Sequence, residues 1–69
     1  MAQQYRTALA ILRRKQVEAR TGLSRSSIYF KVSAGTFPQP VRLGIRTVGW
    51  IESEIEAWLL AQIEKSRKV

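Results

Sequence analysis

Residues 21 to 30 read TGLSRSSIYF, and the rest of the chain is organised around them. Gly22 has no Cβ to clash in the left-handed conformation that closes a helix. Two residues later, Ser24 suits an N-cap, its hydroxyl accepting from the backbone N–H of Ser26 or Ser27. With Ser24 in that place, Leu23 and Ile28 take the N′ and N4 positions of a hydrophobic staple. Ser27 at N3 is neither Glu nor Gln, so the reciprocal capping box is incomplete. One helix therefore ends near Thr21, and a second runs from about residue 24 to 34, stopped by Gly35. Two short helices joined by a three- or four-residue turn containing Gly form a helix-turn-helix pattern.

Upstream, residues 13 to 21 are rich in Arg, Lys, Gln, Glu and Ala, all good helix formers. Val17, with Leu12 or Ala19, supplies a modest inward face. Leu9, Ile11 and Leu12 are core candidates on a short extended lead-in, and residues 1 to 8 show no periodicity and read as a mobile arm. Downstream, residues 35 to 50 read GTFPQPVRLGIRTVGW, where Pro38 and Pro40 forbid a helix and hold the chain extended. Val41, Leu43, Val48 and Trp50 alternate inward with Arg42 outward, giving a two-stranded hairpin turning near Gly44-Ile45-Arg46. An isolated hairpin is marginal, so its apolar face must pack on the helices. Finally, Ile51, Ile55, Trp58, Leu59 and Ile63 recur on one face of a helix over about 51 to 66. Glu52, Glu54 and Glu56 open it and Lys65, Arg67 and Lys68 close it, as the helix dipole favours. Trp50 and Trp58 both fall on inward phases and belong to the core.

A chain of 69 residues is one domain: an arm over 1–8, a folded unit over 9–66 and a basic tail over 67–69. Without Cys or His, neither a disulfide nor a zinc site can staple it, so packing must suffice. No apolar run approaches the roughly 18 residues of a membrane span. The N-terminal charges follow the apolar residues, the wrong order for a secretory signal, so the cytoplasm is the default compartment. Catalysis finds no foothold: His, Cys and Asp are absent, four of the five carboxylates sit on the last helix, and the four glycines stand apart. No cofactor, metal or small-molecule substrate is expected.

The net charge of +7 is unevenly spread. Residues 1 to 49 carry nine basic side chains against Glu18 alone, whereas residues 50 to 64 carry four glutamates and no base. Such segregation fits a basic surface for a polyanion and a separate acidic face. The second helix, about 16 Å long at ~1.5 Å per residue, matches a major groove about 12 Å wide. Ile28 and Val32 face the core, with Ser26, Tyr29, Phe30 and Ser33 opposite and Arg25 at the border. Recognition helices place their first residues on base edges; here those are Arg25, Ser26 and Ser27. Arg25 suits a bidentate contact to guanine O6 and N7, whereas serine reads weakly. Tyr29 offers a phosphate contact with its ring against the helix pair. Phe30 either meets a thymine methyl or tucks against the preceding helix. Arg42 and Arg46 flank the hairpin, with Arg46 placed for the neighbouring minor groove or backbone, and a solvated hairpin is the plainer alternative. Arg13, Arg14 and Lys15 open a helix where cations oppose the dipole, which makes better sense with phosphates nearby. Lys31 is a further phosphate candidate.

The segments TGLSRSSIYFKVSAGTFPQPVRLGIR and VGWIESEIEAWL together resemble the AlpA family of prophage regulators, relatives of phage excisionases and MerR-type domains. The elements G-L-S-R-x-x-I-Y, G-x-F-P-x-P, L-G-x-R and W-x-x-x-E-I-x-x-W occur in order over about residues 10 to 64. The resemblance implies a mainly α fold with a small β-hairpin: a winged helix-turn-helix with a closing C-terminal helix. It implies DNA contacts from Arg25, Ser26, Ser27 and Tyr29, and from Arg46 on the wing. Many relatives carry a basic residue where this chain has Phe30, and often one where it has Gly49. The implied role is sequence-specific binding of double-stranded DNA on the bacterial nucleoid, at short promoter or attachment-site repeats. That binding activates a gene such as an integrase gene, or assists excision by bending DNA and recruiting integrase. Self-association on adjacent sites would accompany it. A reading of another class is a protein-interaction module using the acidic face of Glu52, Glu56 and Glu64.

Overall fold

In the computed structural model, which describes residues 9–68, six elements follow one another. They are β1 (Ile11–Leu12), α1 (Arg14–Thr21), α2 (Arg25–Ala34), β2 (Val41–Arg42), β3 (Val48–Ile51) and α3 (Glu52–Arg67). The arm expected over residues 1–8, and Val69 of the tail, lie outside the described residues.

The turn between α1 and α2 is built from local hydrogen bonds. Gly22 closes α1 at φ 75°, its N–H donating to the Glu18 carbonyl at 2.8 Å. The Thr21 hydroxyl donates to the Val17 carbonyl at 2.8 Å and accepts from the Leu23 N–H at 3.2 Å. Ser24 caps α2, its Oγ accepting from the Ser27 N–H at 3.2 Å. The Ser24 hydroxyl in turn donates to the Ser27 hydroxyl at 3.1 Å, a side-chain contact that does not replace the bond a Glu or Gln would make back to the Ser24 N–H. Gly35 ends α2 at φ 79°.

The sheet has three strands rather than the two of the expected hairpin, in the order β1-β3-β2, all antiparallel. Val41 pairs with Gly49 and Arg42 with Val48, as a hairpin requires. On the other edge of β3, Ile11 pairs with Ile51 and Leu12 with Trp50, and the Glu52 N–H donates to the Ala10 carbonyl at 2.8 Å. That pairing joins residues about forty apart, and a two-residue strand carries no periodicity by which to announce it.

Every layer contributes to the core: Leu12, Val17, Ile28, Phe37, Trp50 and Ile55 are buried, with Leu23, Val32, Val48, Trp58 and Leu59 packed around them. The two indoles fasten the extended segment after α2. Trp50 Nε1–H donates to the Pro38 carbonyl at 2.9 Å, and Trp58 Nε1–H donates to the Thr36 carbonyl at 2.8 Å. Phe37 sits edge-on to Trp58, ring centroids 4.7 Å apart.

Several expected inward positions are exposed instead. Leu9, ahead of β1, and Ile11, its first residue, are exposed, and Ala19 faces outward on α1. Strand alternation stops at Arg42, so Leu43 enters the wing bend and turns out. Ile63 lies two helical turns beyond Ile55, past the last residue of the core. Trp58 is half-buried at the core's edge, not inside it. Among the described residues no helix is long and apolar enough to cross a membrane.

Candidate nucleic-acid interface

Arg13, Arg14, Lys15, Arg46, Tyr29 and Val48 line one open cleft of about 360 Å³. It lies where the start of α1, the middle of α2 and the wing between β2 and β3 meet. Residues more than thirty positions apart in the chain thus place four cationic side chains around a single concavity.

Each cation is held differently. Arg13 is the N-cap of α1, and its backbone N–H donates to Gln16 Oε1 at 2.8 Å. Its Nε–H donates to the Val48 carbonyl at 3.1 Å, tying α1 to β3 and leaving both terminal amino groups without a partner among the described residues. Arg14 pairs with Glu18 one turn along α1. Lys15 and Arg46 are exposed. No acidic residue occupies the first turn of α1 to balance this charge.

Tyr29 forms the wall of the cleft on α2. Its ring lies edge-on to the buried Trp50 at 6.3 Å, so β3 backs it in addition to the helices. The Arg25 guanidinium lies 5.9 Å from the Tyr29 ring centroid. A cation so placed gains about 0.5–1 kcal/mol at an exposed site. Trp50, Tyr29 and Arg25 therefore form a relay from the core to the start of α2 that limits where Arg25 points.

The remaining candidates separate into distinct places. Ser26 is exposed beside Arg25, whereas Ser27 is half-buried and committed to the Ser24 cap. Phe30 is 73% exposed, which overturns the alternative that it tucks against α1. Arg42 folds back, its guanidinium donating to the Ile45 carbonyl at 3.1 Å and bracing the wing bend. Lys31 lies two residues from Tyr29, roughly 160° around the helix, and does not line the cleft. Ile45, at the wing tip, is 88% exposed and was not singled out from sequence. Its signal is an isoleucine inside a turn otherwise made of Gly44 and Arg46.

Gly49 also has a spatial reason. A Cβ at this position would overlap Ile11 Cγ2 and stand 3.1 Å from the Leu12 carbonyl oxygen. The approach of β1 over β3 thus excludes the basic side chain that the family resemblance places here.

Residues 10–63 match the family described as Prophage CP4-57 regulatory protein (AlpA). The chain belongs to the AlpA family. The match spans β1 through most of α3 and so contains the whole cleft and all of α2. The DNA-binding transcriptional activator AlpA of Escherichia coli (strain K12) is 42% identical over 60 residues, covering 78% of this chain and 86% of that protein. The uncharacterized protein ORF88 of Enterobacteria phage P4 is 44% identical over 52 residues, covering 75% of this chain and 59% of that protein. The fold of this AlpA-family chain is a small helix-turn-helix with a three-stranded antiparallel sheet and a closing helix.

Proposed function

We propose that the chain is a sequence-specific regulator that binds double-stranded DNA and controls prophage genes such as an integrase gene. The observation that carries this reading is the convergence of Arg13, Arg14, Lys15 and Arg46 with Tyr29 beside the exposed start of α2. That the Escherichia coli relative is a DNA-binding transcriptional activator supports it. In this reading α2 enters the major groove with Arg25 and Ser26 on base edges. The cleft cations and the Tyr29 hydroxyl hold phosphates, and the wing carries Arg46 to the adjacent minor groove or backbone. Phosphate contacts set position and most of the affinity, while base contacts set sequence. The bacterial nucleoid is then the place of action.

Ile45 favours a second reading, an architectural excision factor that bends attachment-site DNA and recruits integrase. An exposed apolar tip next to an arginine has the form of a wedge that unstacks a base step. The acidic-helix alternative finds part of its surface already used, because Glu52 pairs with Arg20 at 2.8 Å.

Selection from random duplexes, combined with a salt titration, tests the proposal. An enriched short repeat is expected, with log K falling against log salt at a slope near −4 to −5 for about five phosphate contacts. A steep slope with no enriched site would move the reading to the architectural factor. Absence of binding at low salt would end both.

A further inference from the structure

Glu56, Leu60, Ile63 and Arg67 follow one another on α3 at intervals of four, three and four residues, and therefore share one stripe of the helix. Among the described residues nothing covers that stripe: Leu60 is 66% exposed and Ile63 45% exposed. Glu56 and Arg67 are exposed as well, and neither has an ion-pair partner among the described residues. Read in the opposite direction, the stripe becomes its own complement. Leu60 exchanges places with Ile63, and the acid Glu56 exchanges with the base Arg67.

We propose that this stripe is the interface with a second copy of the chain. Two α3 helices pack antiparallel about a two-fold axis passing between Ala61 and Gln62. Each Leu60 then meets the partner's Ile63, and each Glu56 meets the partner's Arg67. A two-fold contact of this kind uses the same patch on both subunits and must be self-complementary. Antiparallel packing also sets the acidic start of α3, with Glu54 and Glu56, against the basic end, with Lys65 and Arg67. Parallel packing would oppose like charges at both ends, which selects against it.

The stripe covers about 17 Å of helix, four side chains per copy. Four residues are far fewer than the roughly 20–30 a side of a stable interface, so the dimer is weak in free solution. Two protomers on neighbouring sites of one duplex would raise the local concentration to about millimolar and complete it. The interface stands without DNA; only this use of it rests on the function proposed above.

Sedimentation equilibrium of the full chain without DNA, from micromolar to about millimolar concentration, tests it. Wild type is expected to show a reversible monomer–dimer equilibrium, and Leu60→Asp to remain monomeric. Glu56→Arg and Arg67→Glu are each expected to weaken the dimer about tenfold, and the double variant Glu56→Arg/Arg67→Glu to recover it. Recovery is specific to the antiparallel register, because only there do residues 56 and 67 face each other. A thermal melt of each variant confirms folding, with Leu60→Gln in reserve if Leu60→Asp melts early. A wild type monomeric throughout, a dimer indifferent to Leu60→Asp, or a double variant no better than the singles would each overturn the proposal. Binding of Leu60→Asp to a single DNA site should be unchanged, so failure here leaves the DNA reading standing.

Discussion

Ser24 and Trp50 show how single side chains prepare the interface. The Ser24 oxygen satisfies an N–H in the first turn of α2, the turn that carries Arg25 and Ser26. Ser24→Ala should cost about 1 kcal/mol. In a domain of this size that lowers the melting midpoint by roughly 4–8 °C, which calorimetry would show. Trp50 bonds the Pro38 carbonyl and backs the Tyr29 ring. Trp50→Phe removes the bond and leaves that carbonyl unpaired, a loss of about 1–3 kcal/mol measurable by urea denaturation. Capping was legible in advance because it depends on residues two or three apart: Gly22, Ser24 and Gly35 all do what their local chemistry dictates. The place of Tyr29 was not, because its support comes from a residue twenty-one positions away on a strand. Nor were the roles of Ser27 and Arg42, each of which meets a local backbone or hydroxyl partner that competes with outward reach.

At the scale of elements, the lead-in strand decides what β3 can carry. β1 lies so close over Gly49 that any side chain there must displace Ile11 or the Leu12 carbonyl. Gly49→Ala should therefore destabilise the fold by about 1–3 kcal/mol through overpacking, read as a lower urea midpoint with unchanged m-value. An unaffected midpoint would mean that β1 yields freely. The helix-turn-helix, the wing and the last helix could each be read from their own residues, since caps, prolines and helical spacing are local signals. The β1–β3 pairing could not, because it depends on contacts about forty residues apart. Leu43 and Ile63 fell on inward phases yet stand exposed, because periodicity gives the direction of a side chain and not where the core ends.

Over the whole molecule, charge and shape converge on one face. The excess of basic residues before position 50 was plain from composition, and the fold adds which of them meet: Arg13, Arg14, Lys15 and Arg46, without Lys31 or Arg42. Cations that only hold phosphates should act on all sequences alike. Lys15→Ala should weaken binding uniformly and reduce the salt slope by about 1, as a titration on two unrelated duplexes would reveal. Arg25 has a different place, at the start of α2 and steadied by Tyr29. The division between positioning and reading is therefore tested most directly by measuring Arg25→Ala against every single-base variant of the selected site. A loss of about 1–3 kcal/mol with preference erased at one base pair is the expected result. An equal loss on every variant, with all preferences intact, would show that Arg25 holds the backbone and that α2 does not read sequence through it.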